Sequence, residues 1–169
     1  MMFPSQFKTL KRQLNLHRKT YRRFLTKAEK KDSTAIDNAA PQIEKEVWKD
    51  IDCLACSNCC RKMTPTFTRE DITRISAHFG QNPAEFKAQW LEKDKNNDWV
   101  NKIQPCQFLN LKTNMCNIYE IRPIDCAGFP HLSKKKFKEY AHVHKQNIEY
   151  CPATLSMVQK LVAQFDVHK

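Results

Sequence analysis

Cys53-Leu54-Ala55-Cys56-Ser57-Asn58-Cys59-Cys60 places four of the chain's eight cysteines within eight positions. Thiols this close in sequence make poor anchors for separate disulfides. A C-x2-C-x2-C spacing instead brings three sulfurs round one point, as a thiophilic metal or an iron-sulfur cluster requires. The stretch therefore predicts a metal site, with Cys53, Cys56, Cys59 and Cys60 as ligands and Cys106, Cys116, Cys126 and Cys151 as the thiols that complete it from a distance. Adjacent side chains point apart in an extended backbone, so Cys59 and Cys60 are expected to serve different centres.

The rest of the composition narrows the class. A chain of 169 residues suffices for one domain with a modest core and an extension. Gly80 and Gly128 are its only glycines. Phosphate-cradling loops and dinucleotide fingerprints need several glycines together, so the usual ATP, GTP and NAD sites are excluded. No apolar run approaches the roughly 18 residues of a membrane span, and no secretory leader is recognisable. A cytoplasmic location is expected, where thiols stay reduced, which favours metal ligation over disulfides.

Residues 1–31 hold ten lysines and arginines against one acid, Glu29, and so carry +9 of the total +11. Phe3, Phe7, Leu10, Leu14, Tyr21 and Leu25 recur at helical spacing, which predicts a basic N-terminal helix with one apolar stripe. That stripe docks on the domain and leaves the charge solvated, or the helix meets nucleic acid or an anionic surface. Residues 32–42, with Pro41, read as a linker. The expected organisation is thus a basic helical arm and linker over 1–42 and a cysteine-cluster metal-binding domain over 43–169.

Thr68-Arg69-Glu70-Asp71 has the form of a capping box opening a helix over 69–79, with Gly80 as its stop. Asn82-Pro83 opens a second helix over 83–92, and Pro152 begins an amphipathic helix over 153–165. Trp99 to Ile103 reads as a short strand. Cys106–Leu109 and Met115–Ile118, flanking the turn-forming residues 110–114, read as a β-hairpin with a cysteine in each arm. The expected fold is mainly α with a small β-hairpin, a compact irregular cysteine-rich metal-binding domain.

The spacing Cys53-x-x-Cys56-x-x-Cys59-Cys60, then Cys106-x-Phe108-Leu109, then Cys116-x-Ile118-Tyr119-Glu120-x-Arg122-Pro123-x-x-Cys126, then Phe129-Pro130, resembles the CxxCxxCC cysteine-cluster family over about residues 50–155. The resemblance implies chelation of zinc or iron. Eight cysteines divide into two four-thiolate zinc sites, or into one site with spare thiols. A [4Fe–4S] cluster also fits, with Cys53, Cys56 and Cys59 close together and Cys151, followed by Pro152, as a remote ligand. Of the six histidines only His131 is a candidate ligand, and a surface or capping role is the leading expectation for it. His142-Val143-His144 reads as an extended, solvated stretch, and Tyr119 and Arg122 as braces for the loop between Cys116 and Cys126. No serine, cysteine or histidine catalytic set is recognisable. Metal binding is the leading expectation, ahead of an iron-sulfur redox protein or enzyme and of a nucleic-acid-associated protein using residues 1–31.

Overall fold

The computed structural model describes residues 4–134 and 136–166 and, within its first helix, the side chains of Lys8 and of residue 11 onward. Phe3, Phe7 and Leu10 of the expected stripe therefore lie outside the described side chains. In chain order the helices are α1 (Pro4–Lys30), α2 (Thr34–Asp50), α3 (Cys53–Cys56), α4 (Asn58–Lys62), α5 (Arg69–His78), α6 (Pro83–Trp90), α7 (Ile124–Gly128), α8 (Phe137–Asn147) and α9 (Pro152–Phe165), with strands β1 (Thr66–Phe67), β2 (Leu91–Lys93) and β3 (Trp99–Asn101). The chain is mainly helical and divides into two units, Met1–Cys56 with Pro130–Lys169, and Ser57–Phe129.

The first unit is a helical assembly. Leu14, Tyr21, Phe24, Leu25 and Ala28 form one buried stripe of α1, packed on α8 and α9. Ile36, Ala40, Ile43 and Val47 do the same for α2, which packs on α9. Leu155, Met157, Val158 and Leu161 supply the facing surface of α9. Burying a side chain of this size stabilises by about 1.5–3 kcal/mol, far more than the exposed pairs Arg18–Glu149 at 3.0 Å or Lys160–Glu46 at 3.0 Å contribute.

Two expectations are corrected here. Residues 32–42 are not a linker, because α2 starts at Thr34 and runs through Pro41. A proline inside a helix removes one backbone donor and crowds the preceding turn. The buried stripe on both sides of Pro41 outweighs that cost, and the Asp37 carboxylate fixes the first turn by accepting from the Ser33 hydroxyl at 2.9 Å and from the Phe137 N–H at 2.6 Å. Residues 142–144 are neither extended nor uniformly solvated. They lie in α8, where His142 is exposed and His144 is buried with 0% of its surface accessible.

The second unit is built on a three-stranded antiparallel sheet of order β1-β3-β2, with Phe67 opposite Trp99 and Leu91 opposite Asn101. The expected hairpin over 106–109 and 115–118 is reduced to a single antiparallel bridge, Leu109 to Cys116. Leu109 N–H turns back to the Cys106 carbonyl at 2.9 Å, which takes the arm out of extended geometry after one pair. The strand expected at 99–103 is present as β3. Thr68 and Asp71 form the capping box of α5, and Asn82 and Glu85 that of α6. Gly80, at φ +64°, ends α5: its N–H reaches the Ala77 carbonyl and the Gln81 N–H the Ser76 carbonyl, both at 3.0 Å. Phe67, Ile72, Ile75, Phe86, Leu91, Phe108 and Ile118 make the core, and Cys106 and Cys116 pack against it.

Candidate metal centre

All eight cysteines are thiols rather than cystines. Five of them, Cys59, Cys60, Cys106, Cys116 and Cys126, belong to the second unit, and three, Cys53, Cys56 and Cys151, to the first.

Within the second unit, α4 carries Cys59 and Cys60 after Ser57, whose backbone is left-handed at φ 43°. The two sulfurs lie 3.8 Å apart. The Cys60 carbonyl accepts from the Cys106 N–H at 2.8 Å, which ties α4 to the segment after β3. Arg61 donates to the Asn114 side chain, tying the same helix to the turn between Leu109 and Cys116. The Leu109–Cys116 bridge then fixes Cys116 beside the Cys106 segment. A 3₁₀ turn, Tyr119–Ile121, leads from Cys116 towards α7, which carries Cys126.

That lead-in is braced in the manner expected and by residues the motif did not single out. The Arg122 guanidinium stacks 3.9 Å from the Tyr119 ring centre and donates to its carbonyl. Asp71, almost fully buried, accepts from Arg74 at 2.6 Å and from the Ile124 N–H at 3.1 Å while completing the α5 cap. Arg74 donates in turn to the carbonyls of Ile121 and Arg122. The Asp125 carboxylate accepts from the Thr66 N–H at 3.1 Å, so α7 is held at its start and along its first turn. A capping-box aspartate followed three residues later by arginine was the available signal for this clamp. Nothing in the sequence shows that its other end lies some 50 residues downstream.

Cys60 acts electrostatically on the thiols of Cys106, Cys116 and Cys126. Burial is the main force pushing the Cys106, Cys116 and Cys126 thiols above their ordinary range, and a charge on Cys60 raises each of them further. Cys60 moves the other way: the hydrogen bond from Cys59 lowers it to about 7 despite burial. Cys60 is thus favoured as a thiolate, while three half-buried thiols resist ionisation as long as no cation balances them. A divalent ion inverts that order, since it favours every deprotonated sulfur around it. The donor chemistry fits zinc or iron. Among the described residues, however, no group of three or more Cys, His, Asp and Glu side chains is arranged as it stands to hold a metal ion.

In the first unit, Cys53 is exposed and Cys56 half-buried on α3, whose first amides donate to the Asp52 carboxylate at 2.9 and 3.2 Å. Cys151, at the start of α9, is buried. Burial chiefly raises its thiol, and a charge on Cys56 adds to the rise. His131 also belongs to this unit, its ring 5.8 Å from that of Tyr140.

The profile of the CxxCxxCC family, described as "Putative zinc- or iron-chelating domain", matches residues 52–151. The chain is 28% identical over 83 residues to Uncharacterized protein MJ0661 of Methanocaldococcus jannaschii, a stretch that is 47% of this chain and 43% of that protein. The chain therefore spans less than half the length of that relative. No solved structure matches it. Among the described residues no helix is long and apolar enough to cross a membrane. With more than half of its length inside the family match, the chain belongs to the CxxCxxCC family of zinc- or iron-chelating domains.

Proposed function

We propose that the chain is a metal-binding protein whose second unit holds one zinc or iron centre through the thiolates of Cys60, Cys106, Cys116 and Cys126, with Cys59 setting the ionisation of Cys60. The observation that supports this is that Cys60, on α4, acts electrostatically on Cys106, Cys116 and Cys126, three thiols drawn from other segments of the same unit. Cys106 and Cys116 pack against the core of the unit, which shields one side of the group from water. The Asp71–Arg74 clamp and the Cys106–Cys60 backbone bond hold the segments in register. On binding, the four sulfurs close on a common ion. Cys53, Cys56 and Cys151 stay candidates for a further thiolate group in the first unit.

A bound ion supplies cross-linking and charge balance. A [4Fe–4S] cluster in the same place adds one-electron chemistry, which is the second reading, since a cluster also takes four thiolates. Anaerobic purification followed by elemental analysis tests both. Stoichiometric zinc in colourless protein gives the first. Brown protein that bleaches with dithionite gives the second. Serine at Cys106, Cys116 and Cys126 removes the metal in either case. Metal-free protein that takes up neither zinc nor iron, or a triple serine variant that keeps its ion, overturns the assignment.

A further inference from the structure

With its apolar stripe packed on α8 and α9, α1 shows solvent its opposite face. On that face Lys8, Arg12, Lys19, Arg23 and Lys30 fall in one row at alternating steps of four and seven residues. This corresponds to roughly 6 and 10.5 Å along the axis, over a total of about 33 Å. Lys11, Arg18 and Arg22 flank the row on one side and Lys27 on the other, and all of these side chains are exposed.

Some of the charge is spent within the unit. Arg18 and Arg22 face Glu149, Arg23 and Lys27 face Asp166, and Glu29, the helix's one acid, pairs with Lys145. Among the described residues no carboxylate lies within ion-pair distance of Lys8, Lys11, Arg12, Lys19 or Lys30, whose like charges repel along one helix face. Such a row is satisfied by a chain of regularly spaced anions. A bilayer is the poorer occupant: a helix lying in a membrane interface must sink its apolar face among the headgroups, and here that face is already the core of the unit. Leu16 is the one large hydrophobic left on the outer side of α1 among the described residues, too little to anchor it.

We propose that the outer face of α1 binds the sugar-phosphate backbone of nucleic acid without regard to base sequence, with Lys8, Lys11, Arg12, Lys19 and Lys30 as the phosphate contacts. This is independent of the metal assignment. Five contacts set a slope of log affinity against log salt of about −4.5 on duplex DNA and about −3.5 on a single strand.

Truncating α1 would not test this, because it removes part of the core of the first unit. The experiment is fluorescence anisotropy of the full-length chain with a labelled duplex DNA and a labelled single-stranded RNA at several salt concentrations. The triple variant Lys8→Glu/Arg12→Glu/Lys19→Glu is expected to lower affinity at least about 30-fold and to flatten the slope by about 3, with helix content by circular dichroism unchanged. A control with the same net charge, Arg69→Glu/Lys95→Glu/Lys112→Glu on exposed positions of the second unit, is expected to stay within about threefold of the parent chain. Three results overturn the proposal: no binding by the parent chain at low salt, equal losses in the two triple variants, or binding to phosphatidylserine vesicles in place of nucleic acid.

Discussion

Burial holds the imidazole of His144 down to about pKa 4, with the positive charges of His131 and His142 adding to the shift, and neither ring nitrogen has a hydrogen-bond partner among the described residues. The unfolded chain takes up this proton near pH 6.5 and the folded chain only near pH 4. The folded state therefore binds fewer protons between those values, and stability present above pH 6.5 is lost as the pH falls towards 4. The shift corresponds to about 3 kcal/mol. In His144→Leu, which keeps a side chain of similar bulk beside Phe137, urea midpoints are expected to fall less between pH 6.5 and 4 than in the parent chain. Parallel curves would refute this. The position was illegible in the sequence for a plain reason. Phe137, Ala141 and Ile148 have the spacing of a helical stripe, but its third member is a polar residue, so the period is broken where the burial is deepest. The cysteine spacing was legible as that of the CxxCxxCC family, while the opposite shifts of Cys60 and Cys126 depend on neighbours no spacing reveals.

At the scale of elements, local signals were read well and long-range ones poorly. Thr68 and Asp71, Asn82 and Pro83, and Gly80 fixed both ends of α5 and the start of α6 because caps act within four residues; the helix expected over 83–92 stops at Trp90, where Leu91 turns into β2 and pairs with Asn101. The hairpin over 106–118 was over-read, since turn chemistry at Asn110 and Asn114 says nothing of how far the arms pair. For α2, Pro41 read as a break and no period stood out over 32–42, because the stripe there is defined by a packing partner, α9, more than 100 residues away. The clamp between α5 and α7 has the same character. Asp71→Ala removes the carboxylate half of the α5 capping box, the partner of Arg74 and the acceptor of the Ile124 N–H together, and should cost about 3 kcal/mol. It should also raise the rate at which a thiol reagent labels Cys126, because α7 loses the bond at its first residue. An unchanged labelling rate in a destabilised variant would mean that the clamp stabilises the fold without positioning the cysteine.

For the molecule as a whole, a metal held by the second unit stabilises that unit by mass action, on the order of 4 kcal/mol when the free ion exceeds its dissociation constant a thousandfold. Chelation is therefore expected to lower the urea midpoint of the second unit. Trp90 and Trp99 lie in that unit and Trp48 in the first, so fluorescence of a Trp48→Phe variant isolates the response. A midpoint indifferent to chelator in metal-loaded protein would contradict the assignment. The amphipathic pattern of α9 was plain in the sequence, whereas its pairing with α1 and α2 was hidden by the insertion of residues 57–129 between them. That interruption sets a timetable for synthesis. A ribosome working at about 5–20 residues per second delivers everything the second unit needs while the apolar stripes of α1 and α2 still await α8 and α9, roughly 5–20 s behind them. Over that interval the nascent N-terminus shows bare leucine, tyrosine and phenylalanine to the cell, and its safe passage rests on chaperones or on the solubilising charge of its own lysines and arginines.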